Sequence, residues 1–543
     1  MSTEKKVFVR KATGLVREIG FWTAVIIIFC NVVGLGWQKR VFQWTGPAII
    51  PESTYPAGIP APTMAFLVSG IIVLLTVFAF AVLGAAMPRS GGGYVYISRI
   101  IHPFVGFLAS WAEYFSIAVS WGLIATAVFE ATLIYAWLAG WGTAWATSEN
   151  LLIGGLVIVV FFTAIAYFGI SMTGKVLQFM FAVPAILTLF MYGIFLSATP
   201  ASMEAGIKAL TGLSANQITQ MALDQGMATA YTGDYFSAMA TATIGIYWAY
   251  IGFAAATFVG GEVKEAGKAL PRTLFIANIV IILLYVSISY LSAHAAMLVG
   301  KIGDYSFFSG YAYLSWGGGK LPAGVAKAWM PTIAGFGAMG MGLQWFLALI
   351  PIFAAFWVAN DIPPFVITSS RIVFAMSFDR VLPEKLSEVN ERWHSPTMAI
   401  VTTMFVAFIG SFAESDIFVK YPVPVLTQYV NSAGGVVSTD LWDAAFFLLS
   451  SVACLLFVFR RKDVYEKSPF KPGKWVVAGI GLAATLANVF LFYMLALGFA
   501  APEPWIFTLV LLVVGAVIYY YYRTKGSRVG VDYATIYAEI PPE

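Results

Sequence analysis

Apolar runs of 18 residues or more recur from one end of this chain to the other, and few folds are open to such a sequence. Inside a bilayer the backbone N–H and C=O groups meet no water. Each run must therefore satisfy its own hydrogen bonds, as a helix does. About 20 apolar residues, at roughly 1.5 Å rise each, cross a hydrocarbon core of about 30 Å. Twelve such segments are read near 19–45, 63–87, 103–138, 151–169, 176–197, 236–260, 273–298, 345–377, 397–414, 441–459, 475–497 and 504–522. Composition agrees, with 60% hydrophobic and only 11% charged residues among 543 and a mean hydropathy of +0.82. The first 18 residues carry Lys5, Lys6, Arg10, Lys11 and Arg17 and no small-residue cleavage site, so the first span is expected to be retained.

Where the cations lie predicts the orientation. With an internal N-terminus, 24 of the 31 Lys and Arg residues fall in segments expected inside and 7 outside. That bias places both termini in the cytoplasm and favours an even number of spans. The net charge of +4 does not point to nucleic acid. Two cysteines, Cys30 and Cys454, sit inside apolar runs and read as small buried hydrophobes. Three histidines are too few for a multi-haem or haem–copper core, and no Cys/His cluster has zinc spacing. No cofactor is expected. A second apolar patch at 331–344 lacks a strong helix signal and reads as a lid on the outer surface.

Two of the spans are interrupted. The first contains NVVGLGW, residues 31–37, with Gly34 and Gly36 in mid-span. The sixth contains YWAYIGF, residues 247–253, with Gly252 after a run of aromatics, and Gly260-Gly261 follow. Breaking a helix in lipid frees N–H groups at one new end and carbonyls at the other. The first favour a carboxylate and the second an ammonium or a metal cation. An amino acid carries both charges on one carbon. Paired breaks, one in each half of the chain, point to an inverted-repeat transporter with its site at the breaks.

At these residues the chain resembles the amino-acid permeases of the amino acid–polyamine–organocation superfamily. Four motifs carry the resemblance: NVVGLGW, PRSGGGYVY at 88–96, AYIGF with GEVKEAGKALPR, and SRIVFAMSFDRVLPEKLSEVN with HSP at 370–396. The resemblance implies an all-α polytopic membrane protein with 12 transmembrane helices. It also implies a leucine-transporter-type 5+5 inverted repeat with broken helices 1 and 6. The substrate head group would then meet Val33, Gly34, Leu35, Gly36, Ala249 and Ile251. Its side chain would face Tyr247, Tyr250 and Phe253, with Gly252 giving the backbone room. The chain departs from the family at Ala254, where an acid is common, at Gly261-Glu262, where two acids are common, and at Pro184, near where some members keep a lysine.

The implied division is a cytoplasmic segment 1–18, repeat 1 at 19–197, an external loop at 198–235, repeat 2 at 236–459, spans 11 and 12 at 460–523 and a cytoplasmic, mobile tail at 524–543. Charges inside the membrane need a reason. Asp361 precedes Pro363-Pro364 and lies ten residues from Arg371, about 15 Å along a helix. A carboxylate beside carbonyls freed by proline is a candidate sodium or proton site. Glu113 is a second coupling candidate, as a proton acceptor, whereas Asp443 reads as a residue snorkelling near the outer end of span 10. Lys39 and Arg40 read as long stems reaching the interface. Arg89, Glu262, Lys264, Arg371 and Asp379 are candidates for an inner gate.

The expected function is secondary active transport of amino acids, neutral or apolar in side chain, across the plasma membrane by alternating access. Sodium or a proton would be the coupling ion, and the partners would be the substrate and the lipid bilayer. A polyamine or other organic-cation transporter of the same fold is the alternative. A transport-like sensor and a membrane-embedded redox or enzyme subunit stand further off, since no Gly-x-Ser-x-Gly, His-Glu-x-x-His or multi-histidine set is present.

Overall fold

The computed structural model describes residues 12–541 except 35, 433 and 499–500. Helices joined by turns make up the described chain, with isolated bridges such as Ile19 to Val263 in place of any strand. Eleven helices among the described residues are long and apolar enough to cross a membrane. The first of these counts Phe21–Ala48 as one, across the interruption at Gly34. The expected sixth span is not among the eleven, because it divides into Tyr235–Trp248, a turn through 249–254 and the short helix Ala255–Phe258. Neither piece is long enough to count on its own.

Burial grades from the middle of the bundle outward. The most apolar window of the Pro103–Leu133 span is 71% buried, against 17% for Glu503–Arg528. The last membrane-length helix therefore turns Leu509, Val513 and Val517 outward, as a hydrocarbon solvent allows. Helices approach closely where glycine permits it. A Cβ on Gly122 would lie 1.7 Å from the Ala407 carbonyl oxygen, and one on Gly410 would lie 2.0 Å from that of Val119. This reciprocal contact docks the Pro103–Ala136 helix on Thr397–Glu414, in the manner of small-residue packing in membranes.

Three segments differ from the sequence reading. Residues 330–340 form a helix, although their glycines weaken any propensity signal. The glycines serve packing: a Cβ on Gly340 would lie 1.8 Å from the Ser202 carbonyl oxygen and one on Gly206 1.8 Å from that of Phe336. Two helices, Pro200–Thr211 and Ala215–Asp224, thus fill what reads as an external loop. The C-terminal segment is likewise structured. After Arg528 the chain forms Tyr533–Ala538, with Tyr533, Ile536 and Tyr537 buried. Both cysteines are buried and free.

On the face away from the termini, Glu52 ties two loops together. Its Oε1 accepts hydrogen bonds from the Ser306 and Ser309 hydroxyls at 2.6 and 2.5 Å. Burial pushes its carboxyl above the ordinary range, and those hydrogen bonds oppose the shift.

Candidate functional site

The first helix stops at Val32, and Val33 adopts φ −90° and ψ 77°. Helix resumes at Gly36, with the Gln38 side-chain amide donating to the Gly34 carbonyl at 3.0 Å. Leu35 lies outside the described residues. The second break begins after Trp248 and turns at Gly252, whose φ of +105° is a region that side chains disfavour. The two breaks press on each other. A Cβ on Gly252 would lie 2.4 Å from the Asn31 carbonyl oxygen, and one on Gly36 would lie 2.8 Å from Ala249 Cβ. Only glycine lets the two backbones come so near.

Tyr285, on the Ala266–Met297 helix, joins both breaks. Its hydroxyl lies 2.7 Å from the carbonyl oxygen of Val32 and 3.0 Å from that of Ala249, so one proton serves carbonyls from both broken helices. Asn278, two turns earlier, donates to the Phe253 carbonyl at 3.2 Å. The sequence reading missed both residues. A single Tyr or Asn on a long apolar helix carries no local pattern, and the one available signal was its polarity within lipid-length sequence.

A cavity of about 60 Å³ opens between the breaks. Gly36, Ala249, Ile251 and Gly252 stand on its wall, with Asn31 and Val32. Val33 and Gly34 do not reach it, and Gly34 instead abuts Asp361, whose Oδ2 would lie 2.0 Å from an added Cβ. Tyr247, Tyr250 and Phe253 also stand behind the wall. Tyr250 donates to the Phe66 carbonyl at 2.8 Å, and Phe253 packs 4.5 Å from Phe447. Trp248 and Ile251 take the wall instead. The turn through 249–254 ends the helical period at Trp248, so the three aromatics that the resemblance implies do not share the cavity face.

Three carboxylates face this cavity. Asp361 sits at the joint between Ile350–Ala359 and Ile362–Phe378, and the neighbouring Asn360 donates to the Met180 carbonyl at 3.1 Å. Glu113 comes from Pro103–Ala136 and Asp443 from Thr439–Arg460. Their exposures are 6%, 2% and 4%. Asp361 Oδ1, Glu113 Oε2 and Asp443 Oδ1 are buried without a hydrogen-bond partner among the described residues. Asp443 thus corrects the sequence reading: it turns into the bundle beside Glu113 and does not snorkel. No group of three or more His, Cys, Asp or Glu residues among the described residues is gathered closely enough to hold a metal ion. The remaining wall mixes Ser116, Ser120 and Thr368 with Ile117, Ile124 and Phe365. The arrangement offers carbonyls and amides from two broken helices, anionic oxygens, and apolar surface for a small organic solute.

The five gate candidates resolve differently. Glu262 and Arg371 form a bidentate pair at 2.8 and 2.9 Å, both buried. Asp379 pairs with Arg99, at 2.5 and 2.7 Å, and accepts from the Tyr94 hydroxyl at 2.7 Å. Arg99 was not singled out, since it reads as one more charge in a basic loop. Arg89 donates to the Pro541 carbonyl at 2.6 Å. Lys264 stands apart from these buried pairs: its side chain is exposed, and its backbone N–H donates to the Ile19 carbonyl at 2.9 Å.

Interrupted helices meeting at a buried cavity, within a bundle of membrane-length helices, define a multi-pass membrane protein built to enclose a small solute. Comparison with known proteins makes this specific. The family model described as amino acid permease matches residues 19–517, and the chain belongs to that family. The branched-chain amino acid permease BcaP of Bacillus subtilis (strain 168) is 24% identical over 525 residues, covering 95% of this chain and 94% of its own. The glutamate/serine transporter AimA of the same organism is 20% identical over 535 residues, covering 95% and 83%. Its serine/threonine exchanger SteT is 23% identical over 424 residues, covering 75% and 81%.

Proposed function

We propose that this permease is a secondary active transporter that moves amino acids across the plasma membrane by alternating access. The observation that carries the reading is the meeting of two interrupted helices at one cavity, tied through Tyr285. The proposed architecture has twelve spans in a 5+5 inverted repeat, 19–197 and 236–459, with 460–523 added and both termini cytoplasmic. The segment Tyr235–Phe258 supplies the twelfth crossing in two pieces. The substrate carboxylate and ammonium meet backbone at Gly36, Ala249, Ile251 and Gly252.

A neutral or apolar side chain suits the wall of Ile117, Ile124 and Phe365. Relatives named for branched-chain, serine or threonine, and glutamate or serine substrates support amino-acid transport in general. For coupling, a proton or a sodium ion held at Asp361, or at Glu113 beside Asp443, relieves like-charge repulsion in the cavity. Those same three carboxylates favour a second reading, a polyamine or other organic cation as substrate.

A thermal-shift screen of the twenty amino acids and common polyamines, with and without sodium and across pH, tests both readings. A bound ligand raises apparent stability by mass action. Shifts from amino acids alone are expected, with ion dependence lost in Asp361→Asn. Shifts from polyamines alone reject the amino-acid reading, and unaltered ion dependence clears Asp361 of coupling.

A further inference from the structure

At the rim of the bundle, on the face that gathers the chain termini, lies a hollow of about 440 Å³. Two connections build it. One is 168–169, between the Ser148–Tyr167 and Ile170–Leu196 helices. The other is the loop 390–395 that precedes Thr397–Glu414. They are fastened together: the Ser395 hydroxyl donates to the Tyr167 carbonyl at 2.7 Å, and the Phe168 and Trp393 rings meet edge to face at 5.1 Å. Asn390 Oδ1 accepts from the backbone N–H groups of Arg392 and Trp393 at 2.9 and 3.0 Å, which fixes the shape of the loop. Three basic side chains, Lys175, Arg392 and His394, line the hollow. Arg392 lies over the Trp393 ring, 4.6 Å from its centroid. None of the three makes an ion pair or a side-chain hydrogen bond among the described residues. Glu18 is the one acid on the wall, so even with His394 neutral the hollow keeps an excess of positive charge that an anion satisfies.

The apolar part of the wall decides the kind of anion. Phe168 and Met172 line the hollow and are exposed. From Met172 the Ile170–Leu196 helix carries Phe179 and Ile186 at seven-residue steps, 65% and 57% exposed. Seven residues make nearly two full turns, so the three form one stripe about 21 Å long. One leaflet fills only about 15 Å of the hydrocarbon core, and the stripe is long enough for an acyl chain. A phosphate ion in solution has no use for it. We propose that this hollow binds the headgroup of an anionic glycerophospholipid of the phosphatidylglycerol kind, with one acyl chain along Met172, Phe179 and Ile186. The phosphodiester accepts from Lys175 and Arg392, with His394 as a further donor, and Glu18 accepts from a headgroup hydroxyl. A guanidinium already stacked on an indole is pre-organised for phosphate oxygens. Basic pockets between membrane helices bind anionic headgroups by the same physics. Because Glu18 lies just ahead of the Phe21–Val32 helix, the headgroup also bridges the entry of the first broken span to the 390–395 loop. The site holds whichever solute the permease carries.

The test is native mass spectrometry of the delipidated full-length protein in detergent, titrated with phosphatidylglycerol and with phosphatidylcholine of the same chains. Phosphatidylglycerol adducts are expected at the lower lipid concentration. Lys175→Gln and Arg392→Gln should each weaken them about fivefold. Lys467→Gln, which removes an exposed cation outside the hollow, should leave them unchanged, and excess inorganic phosphate should not displace the lipid. Adducts that ignore both substitutions in the hollow, or that weaken equally in Lys467→Gln, overturn the site. Displacement by inorganic phosphate overturns the lipid as its occupant, and equal binding of phosphatidylcholine overturns recognition of the anionic headgroup. Melting temperatures taken without lipid identify a folding defect. Should Arg392→Gln melt below the wild type, Lys175→Gln alone decides.

Discussion

The two faces of the bundle close off the central cavity in different ways. On the face that gathers the chain termini, the packing beneath the surface is electrostatic and deep. Glu262–Arg371 and Asp379–Arg99 are buried bidentate pairs, and the hollow that Thr13 and Pro541 line beside them has only about 20 Å³. On the opposite face a vestibule of about 300 Å³ reaches down to Trp248. An aromatic ring can swing with little change in solvation. A buried ion pair cannot part without exposing both charges to a poor solvent. It therefore releases in one step, when water reaches both partners. Under the transport reading proposed above, the contrast assigns a stiff, all-or-none seal to one side and a compliant one to the other.

The sharpest way to break this comparison is to remove half of a charge pair. Arg371→Ala leaves Glu262 buried and unpaired, and a loss of about 3–5 kcal/mol is expected. It would be read as a fall in melting temperature with uptake abolished. A loss below about 1 kcal/mol would show that the pair is not the seal. The tail offers a smaller lever on the same face. Tyr537 has its hydroxyl 3.4 Å from that of Tyr94, and Arg99 lies 5.1 Å from its ring centroid. Tyr537→Ala should cost roughly 1–2 kcal/mol and speed labelling of a cysteine placed at Ser90. Labelling at the wild-type rate would separate the tail from the seal.

The smallest effect is expected at Glu52, on the opposite face. Its folded-state carboxyl is held above the ordinary value by burial. The stability linked to this group is therefore full below the unfolded value and is lost as pH rises through the folded one. Glu52→Gln keeps an acceptor for Ser306 and Ser309. It should flatten the melting-temperature profile above pH 4, by less than about 1 kcal/mol. A profile as steep as that of the wild type would assign the slope to another group.

Much of the site was legible because its signals are local. Gly36 and Gly252 mark the breaks by themselves, since a glycine in mid-span is costly unless backbone must approach backbone. Asp361 and Glu113 stand out because an acid in an apolar run needs a reason. The resemblance set Tyr247, Tyr250 and Phe253 against the substrate, whereas they stand behind the cavity wall, where the turn through 249–254 places them. Asp443 was taken for a snorkelling residue. Its partner across the cavity, Glu113, lies hundreds of positions away in the chain. Arg99 and Tyr285 were passed over for the same reason, since each acquires its role from a distant contact.

By itself the sequence determined the class of the molecule and the places where two of its apolar segments break. Those properties follow from the solvation of neighbouring residues and from local backbone freedom. Only the tertiary structure decided which carboxylates share a cavity, which arginine holds which acid, and that one tyrosine hydroxyl joins both breaks. Such pairings depend on which helices lie side by side, and no stretch of chain as short as a helix records its neighbours.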